Sequence, residues 1–200
     1  MADYCFEGCS GLTNIVIPHN VVKIEFGAFA NCRSLSTVEI SENIKYIMPH
    51  AFSGCSSLTS VTISNSVTTI GDYTFADCRS LASVIVGEGV TSISGSAFSG
   101  CSSLTSVTFL CPTVGKWFSN MASIKEVVLG ESIATIDDKA FQGCSGLTSI
   151  ASNAMTAPTI STRSFNLVGS NGTLYVPSGS SGYDTWMAAL EKYNWTKVEQ

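Results

Sequence analysis

A 23-residue interval dominates the chain: Cys9, Cys32, Cys55, Cys78 and Cys101 recur at that spacing within the unit F-x-x-C-x-x-L-x-x-V-x-I-x-x-x-V-x-x-I. Phe6, Phe29, Phe52, Phe75, Phe98, Phe118, Phe141 and Phe165 open successive coils, and Leu12, Leu35, Leu58, Leu81, Leu104, Ile124 and Leu147 follow six residues after the first seven. Ile15, Val38, Val61, Val84, Val107, Val127, Ile150 and Leu174 form the next column. Ile17, Ile40, Ile63, Val86, Phe109, Leu129 and Val176 stand two residues beyond. An apolar-x-apolar step is the period of a short strand with one buried face. A second inward run follows at Val21, Ile44, Val67, Val90 and Ile133, then Ile24, Ile47, Ile70, Ile93, Ile136 and Ile160. No coil of this length buries its own apolar side, so each must stack on the next, and a period of about 20 to 29 residues predicts a leucine-rich repeat solenoid. The expected architecture is a solenoid of about 23 residues per coil over 1–176, mostly short β-strands and turns with a divergent last coil, then a C-terminal helical cap over 177–200.

Composition narrows the partners. Only 12% of the residues are charged and the net charge is -5, without a basic patch, so nucleic acid is not an expected partner. No apolar run approaches the roughly 18 residues of a membrane span, and nothing at Met1 resembles a signal peptide. The first coil starts at MADYCF without the polar cap that terminal repeats need. The expectation is an N-terminally truncated solenoid, with upstream repeats and a secretion signal outside this chain, and a monomer.

Six of the eight cysteines, Cys9, Cys32, Cys55, Cys78, Cys101 and Cys144, share one column, which Met121 fills in the sixth coil. Replacement by Met marks the column as apolar filler, so an inward ladder of free thiols is expected rather than disulfides. Cys5 falls in the column of Ala28, Ala51, Ala97 and Ala140 and is expected to pack in the core. Cys111 aligns with His19, Glu42, Asn65, Glu88 and Glu131, and is the thiol expected near solvent. Metal-ligand spacing is absent and no cofactor is expected.

Asp3, Asp72 and Asp138 stand three residues before a Phe, where a carboxylate suits the N-cap of a single helical or 3₁₀ turn. The register breaks once: nine residues separate Phe109 from Phe118 where twelve is regular, and Pro112, Gly115 and Trp117 fall in the shortened stretch. This is either a tolerated deletion or a notch displaying Cys111 and Trp117 to a ligand. After Pro177, Tyr183, Trp186, Met187, Leu190 and Tyr193 keep helical spacing, which suits a cap over the last coil, and Trp195 to Val198 suits a final strand.

The segments CSSLTSVTISNSVTTIGDYTFADC, CRSLASVIVGEGVTSI and CSSLTSVTFL resemble the BspA-like class of leucine-rich repeats, common on bacterial surfaces. The tail GTLYVPSGSSGYDTWMAAL resembles the terminal segment of such proteins from Bacteroidales. That resemblance implies extracellular display and protein binding, since the family's prototypes are adhesins for host extracellular-matrix proteins and other microbes. It carries no ligand motif across.

No catalytic constellation accompanies the repeats. His19 and His50 lie in different columns, Asp137 and Asp138 are adjacent rather than facing, and neither a G-x-S-x-G elbow nor an H-E-x-x-H pair occurs, so an enzyme is not expected. Strand positions between the apolar columns must point outward. They make a hydroxyl-rich face whose candidate binding residues are Thr13, Val16, Thr37, Glu39, Thr59, Thr62, Ile85, Thr105, Thr108, Lys125 and Val128. An adhesion module with a protein partner is the leading expectation. A passive stalk in a larger surface protein and a carbohydrate-binding module centred on Trp117 are the alternatives.

Overall fold

The computed structural model describes residues 1–200, which divide into two compact units, Met1–Leu104 and Thr105–Gln200. Both are parallel β-solenoids. In the first, strands β1 (Asn14–Val16), β3 (Thr37–Glu39), β5 (Ser60–Ile63) and β7 (Ser83–Val86) supply one longer segment per coil. The two-residue strands β2 (Lys23–Ile24), β4 (Tyr46–Ile47), β6 (Thr69–Ile70) and β8 (Ser92–Ile93) form a second parallel sheet in that order. Pairing holds the 23-residue register, with Ile15 opposite Val38 and Val61 opposite Val84.

The second unit repeats the plan with β9 (Ser106–Phe109), β11 (Glu126–Leu129), β13 (Ser149–Ser152) and β15 (Thr173–Val176) in parallel order. The short strands β10 (Thr113–Val114), β12 (Thr135–Ile136) and β14 (Thr159–Ile160) run alongside. Helix α1 (Asp184–Leu190), a 3₁₀ turn (Glu191–Tyr193) and β16 (Thr196–Glu199), which pairs parallel with β15, complete the chain.

The alternation in sequence becomes alternation in burial. Along β5, Ser60 and Thr62 are exposed while Val61 and Ile63 are buried, because successive Cβ atoms leave opposite faces of a strand. The Phe column becomes a stack: Phe6, Phe29, Phe52, Phe75 and Phe98 lie nearly parallel with centroids 5.2 to 5.4 Å apart. Beside it runs the thiol ladder. All eight cysteines are free, and Cys32, Cys55, Cys78, Cys101 and Cys144 are buried. The ladder does more than fill space, since each of these thiols donates to the carbonyl of the Phe 26 residues earlier, at 3.0 to 3.2 Å. A side chain that is small, apolar and still a weak donor satisfies a buried carbonyl that Val or Ala would leave to other partners.

The residue before each position of this column, Cys9 and Met121 included, is left-handed and alternates in kind: Gly8, Asn31, Gly54, Asp77, Gly100, Asn120, Gly143. The left-handed turn aims its N–H at the following coil, as when Asn31 donates to Ser53 and Gly54 to Ala76. The Asx side chain then lies over the next coil's glycine. A Cβ on Gly54 would stand 2.6 Å from Asn31 Oδ1, and one on Gly100 2.8 Å from Asp77 Oδ1.

Several sequence expectations change. Cys5 is exposed, not core, because it lies on the outer face of the first coil, where Phe6 is also 39% exposed. The turns holding Asp72 and Asp138 are not helical, and both carboxylates reach forward instead of capping: Asp72 accepts from Ser94 and Ser96, Asp138 from Ser161 and Arg163. Hydrogen bonding from Ser161, then from Arg163 together with its charge, holds the Asp138 carboxyl below its ordinary value. Cys111 is fully buried, and its desolvated thiol is pushed up to about 11. The pairing of Thr113 with Thr135 shows why: two of the missing residues are lost before Cys111, which moves it into the inward column of Ile133. Trp117 is only 9% exposed and packs 6.3 Å from Phe109, its indole filling the space beside Gly115. The shortened coil closes over its own aromatic and displays neither residue.

Candidate protein-binding face

The outward positions of the longer strands line up by register. In the first unit Asn14 stands opposite Thr37 and Val16 opposite Glu39, then Ser60 opposite Ser83 and Thr62 opposite Ile85. Thr13 and Thr59 flank these rows. Thr13, Val16, Thr37, Glu39, Thr59, Thr62 and Ile85 are all exposed. The second unit aligns Ser106, Glu126 and Ser149, then Thr108, Val128 and Ala151. Lys125 there is exposed and Thr105, Thr108 and Val128 are half-buried. Val16, Thr37, Glu39, Thr62, Ile85, Thr108 and Val128 lie on outward rows within their units, and Thr13, Thr59, Thr105 and Lys125 each precede the strand that carries one.

The face of the first unit is not flat. Thr37, Glu39, Ser41, Ser60, Thr62 and Ser64 line a shallow depression beside His19. At its floor Ser64 donates to the carbonyl of Ser41 at 3.2 Å, whereas the Ser41 hydroxyl is buried with no hydrogen-bond partner. A buried hydroxyl without a partner costs roughly 1 to 3 kcal/mol, so such a group needs an explanation. Glu39 and Glu42 make the rim acidic. Cys111 and Trp117, at the irregular coil, are both buried and lie outside the longer strands that form this face.

The rows also extend beyond the residues singled out from sequence. Pairing of β15 with β13 and β16 adds Tyr175 and Val198 to the row of Val128 and Ala151, making the outward stripe of the second unit apolar. Tyr175 was readable as the residue between Leu174 and Val176. The pairing of β16 was not, because Lys197 and Glu199 stand where the inward apolar residues would be, and they form an ion pair of 3.5 Å across the strand end. A second set of exposed rings, Tyr4, Phe26, Tyr46 and Tyr73, lies outside the longer strands of the first unit.

No helix is long and apolar enough to cross a membrane. The model of the BspA type Leucine rich repeat region (6 copies) matches residues 1–117 and 115–186. No curated protein matches the chain. Among solved structures, the chain is similar to a leucine-rich repeat protein of T. pallidum at 22% identity, with 99% of this chain and 78% of that one covered and a TM-score of 0.56. It is also similar to a leucine-rich repeat protein from Bacteroides ovatus ATCC 8483 at 20% identity, covering 96% of this chain but 56% of that one, with a TM-score of 0.60. The chain thus spans little more than half of the B. ovatus protein, and at these identities the likeness is one of fold. With its matched repeats running from the first coil to α1, the chain belongs to the BspA type leucine-rich repeat family.

Proposed function

We propose that the chain is a non-enzymatic protein-binding module of a bacterial cell-surface protein, acting in adhesion through the outward rows of its longer strands. The observation that carries this reading is the depression around Ser41. Exposed hydroxyls of Thr37, Ser60 and Thr62 line it, and the same outward rows carry the exposed apolar side chains of Val16 and Ile85. Protein interfaces combine apolar contacts with polar groups in this way. Membership of a family whose solenoids offer extended recognition surfaces supports the same reading. The partner is a protein of the host extracellular matrix or of another microbial surface, and the module works as a monomer outside the cell.

The test is binding to immobilised collagen, laminin and fibronectin, and to intact bacteria, before and after changing Thr59, Thr62, Ile85 and Thr108 together to Lys. Outward positions accept charge without burying it, so the fold should persist while binding to the recognised partner falls by more than tenfold. Unaltered binding by the quadruple variant removes the strand face from consideration, and absence of any protein partner returns the module to a passive stalk.

A further inference from the structure

The turns of the first unit outside its longer strands carry exposed rings of their own, and the backbone sets some of them apart. Tyr4, Gly27, His50 and Tyr73 occupy one turn position at 23-residue intervals, and all four are left-handed, with φ between 54° and 60°. A bulky side chain in that region costs of order 1 kcal/mol or more, which glycine escapes. Gly27 shows that this fold accepts glycine there, so the backbone does not demand the rings. Tyr4 is used locally, its ring lying over Gly27. Tyr73 is not: one face stacks on His50, with centroids 5.3 Å apart and planes 15° from parallel, and the residue is still 45% exposed. The following coil places Ser96 at the same position, a side chain too short to cover the second face of the ring.

A polar group borders that open face. Asp72 accepts from the hydroxyls of Ser94 and Ser96, both through Oδ1, which leaves Oδ2 as an acceptor with no partner. Ser94 and Ser96 are also within 3.0 Å of each other, fixing the carboxylate in place. A ring face held from behind, a positioned carboxylate oxygen and a pair of hydroxyls form a combination suited to one chemistry. The C–H bonds on one side of a hexopyranose carry partial positive charge and lie flat on the negative face of an aromatic ring, while hydroxyls at its edge donate to a carboxylate and exchange hydrogen bonds with serines.

We propose that Tyr73, buttressed by His50, forms with Asp72 and Ser96 a subsite for a neutral hexopyranose of a glycan. An acidic sugar would meet the Asp72 carboxylate and the net charge of -5, so neutral glycans are the class selected. This subsite is independent of the protein-binding reading, because Asp72, Tyr73 and Ser96 stand in turns outside the longer strands that carry Thr62 and Ile85.

The test is electrophoresis of the full chain through native gels containing dextran, galactomannan, mannan or mixed-linkage β-glucan. The wild-type chain should be retarded by at least one of them, and Tyr73→Gly and Asp72→Ala should each weaken that retardation by tenfold or more. Tyr73→Gly should melt no lower than the wild type, because it relieves a left-handed residue, so lost retardation will not reflect lost folding. The double variant Thr62→Lys and Ile85→Lys should be retarded like the wild type in the matrix-corrected gels, which separates failure here from failure of the strand-face reading. Absence of retardation by all four polysaccharides, or retardation unchanged in Tyr73→Gly, overturns the proposal.

Discussion

Single residues here answer to the coil that follows as much as to their own. The left-handed position before the cysteine alternates between glycine and Asn or Asp because an Asx side chain occupies the volume in which the next coil's Cβ would sit. The backbone repeat is therefore one coil, whereas the packing repeat at this position is two. Gly54→Asn places a side chain against Asn31 and should cost about 1 to 3 kcal/mol, the usual range for overpacking. Asn itself tolerates a left-handed backbone, so the loss comes from crowding and not from φ. Moving the asparagine by one coil, with Asn31→Gly and Asp77→Gly added to Gly54→Asn, should recover most of that loss in urea denaturation. A triple variant no more stable than Gly54→Asn alone would show that the alternation has another origin.

At the scale of elements, the C-terminal segment covers the last coil in the way its aromatic spacing predicts. Trp186 is fully buried 5.1 Å from Phe165, and its Nε1 donates to Pro158 at 2.8 Å. The Tyr183 hydroxyl donates to the Ala154 carbonyl and is hydrogen-bonded to the Ser152 hydroxyl, and Trp195 Nε1 donates to the Gly169 carbonyl at 2.7 Å. We propose that residues 177–200 act as a cap separate from the solenoid proper. Deleting 183–200 should bare Phe165, Leu174 and the free edge of β15, and drive end-to-end association visible by sedimentation velocity. A deletion that remains monomeric with an unchanged melting temperature would mean the last coil needs no cover. The edge that β16 itself presents is blunted by Lys197 and Glu199, charged residues that disfavour further strand addition.

Across the whole molecule the buried thiols tie stability to alkaline pH. Burial pushes the thiols of Cys55 and Cys101 from an ordinary 9.0 up to about 12, those of Cys111 and Cys144 to about 11, and raises Cys32 and Cys78 as well. The folded chain disfavours thiolate, so as pH rises the unfolded chain loses thiol protons first. Stability is fully present below about pH 9 and declines from there to about pH 12, by at most about 1.4 kcal/mol per pH unit for each thiol that titrates differently in the two states. Replacing Cys55 and Cys101 with Ala should flatten that decline in urea titrations at pH 8 to 11. A decline as steep as that of the wild type would place the alkaline sensitivity elsewhere.

The repeat made the solenoid, the inward columns and the outward strand rows readable, because a 23-residue period and a two-residue alternation are local properties that stacking then enforces. It also made the free thiol ladder and the terminal helix readable, since both rest on spacing alone. Where the period falters, the repeat no longer fixes which residue occupies which column. Cys111 falls in the column of His19 and Glu131 only if the deletion lies after it, and the pairing of Thr113 with Thr135 decides that two of the missing residues fall before it. The remaining features depend on what adjacent coils do to one another: the forward reach of Asp72 and Asp138, the orphaned hydroxyl of Ser41, and the stacked His50 and Tyr73. Each joins residues about one coil apart in sequence, or leaves one without a partner, and side-chain geometry between coils is not encoded in the period that stacks them.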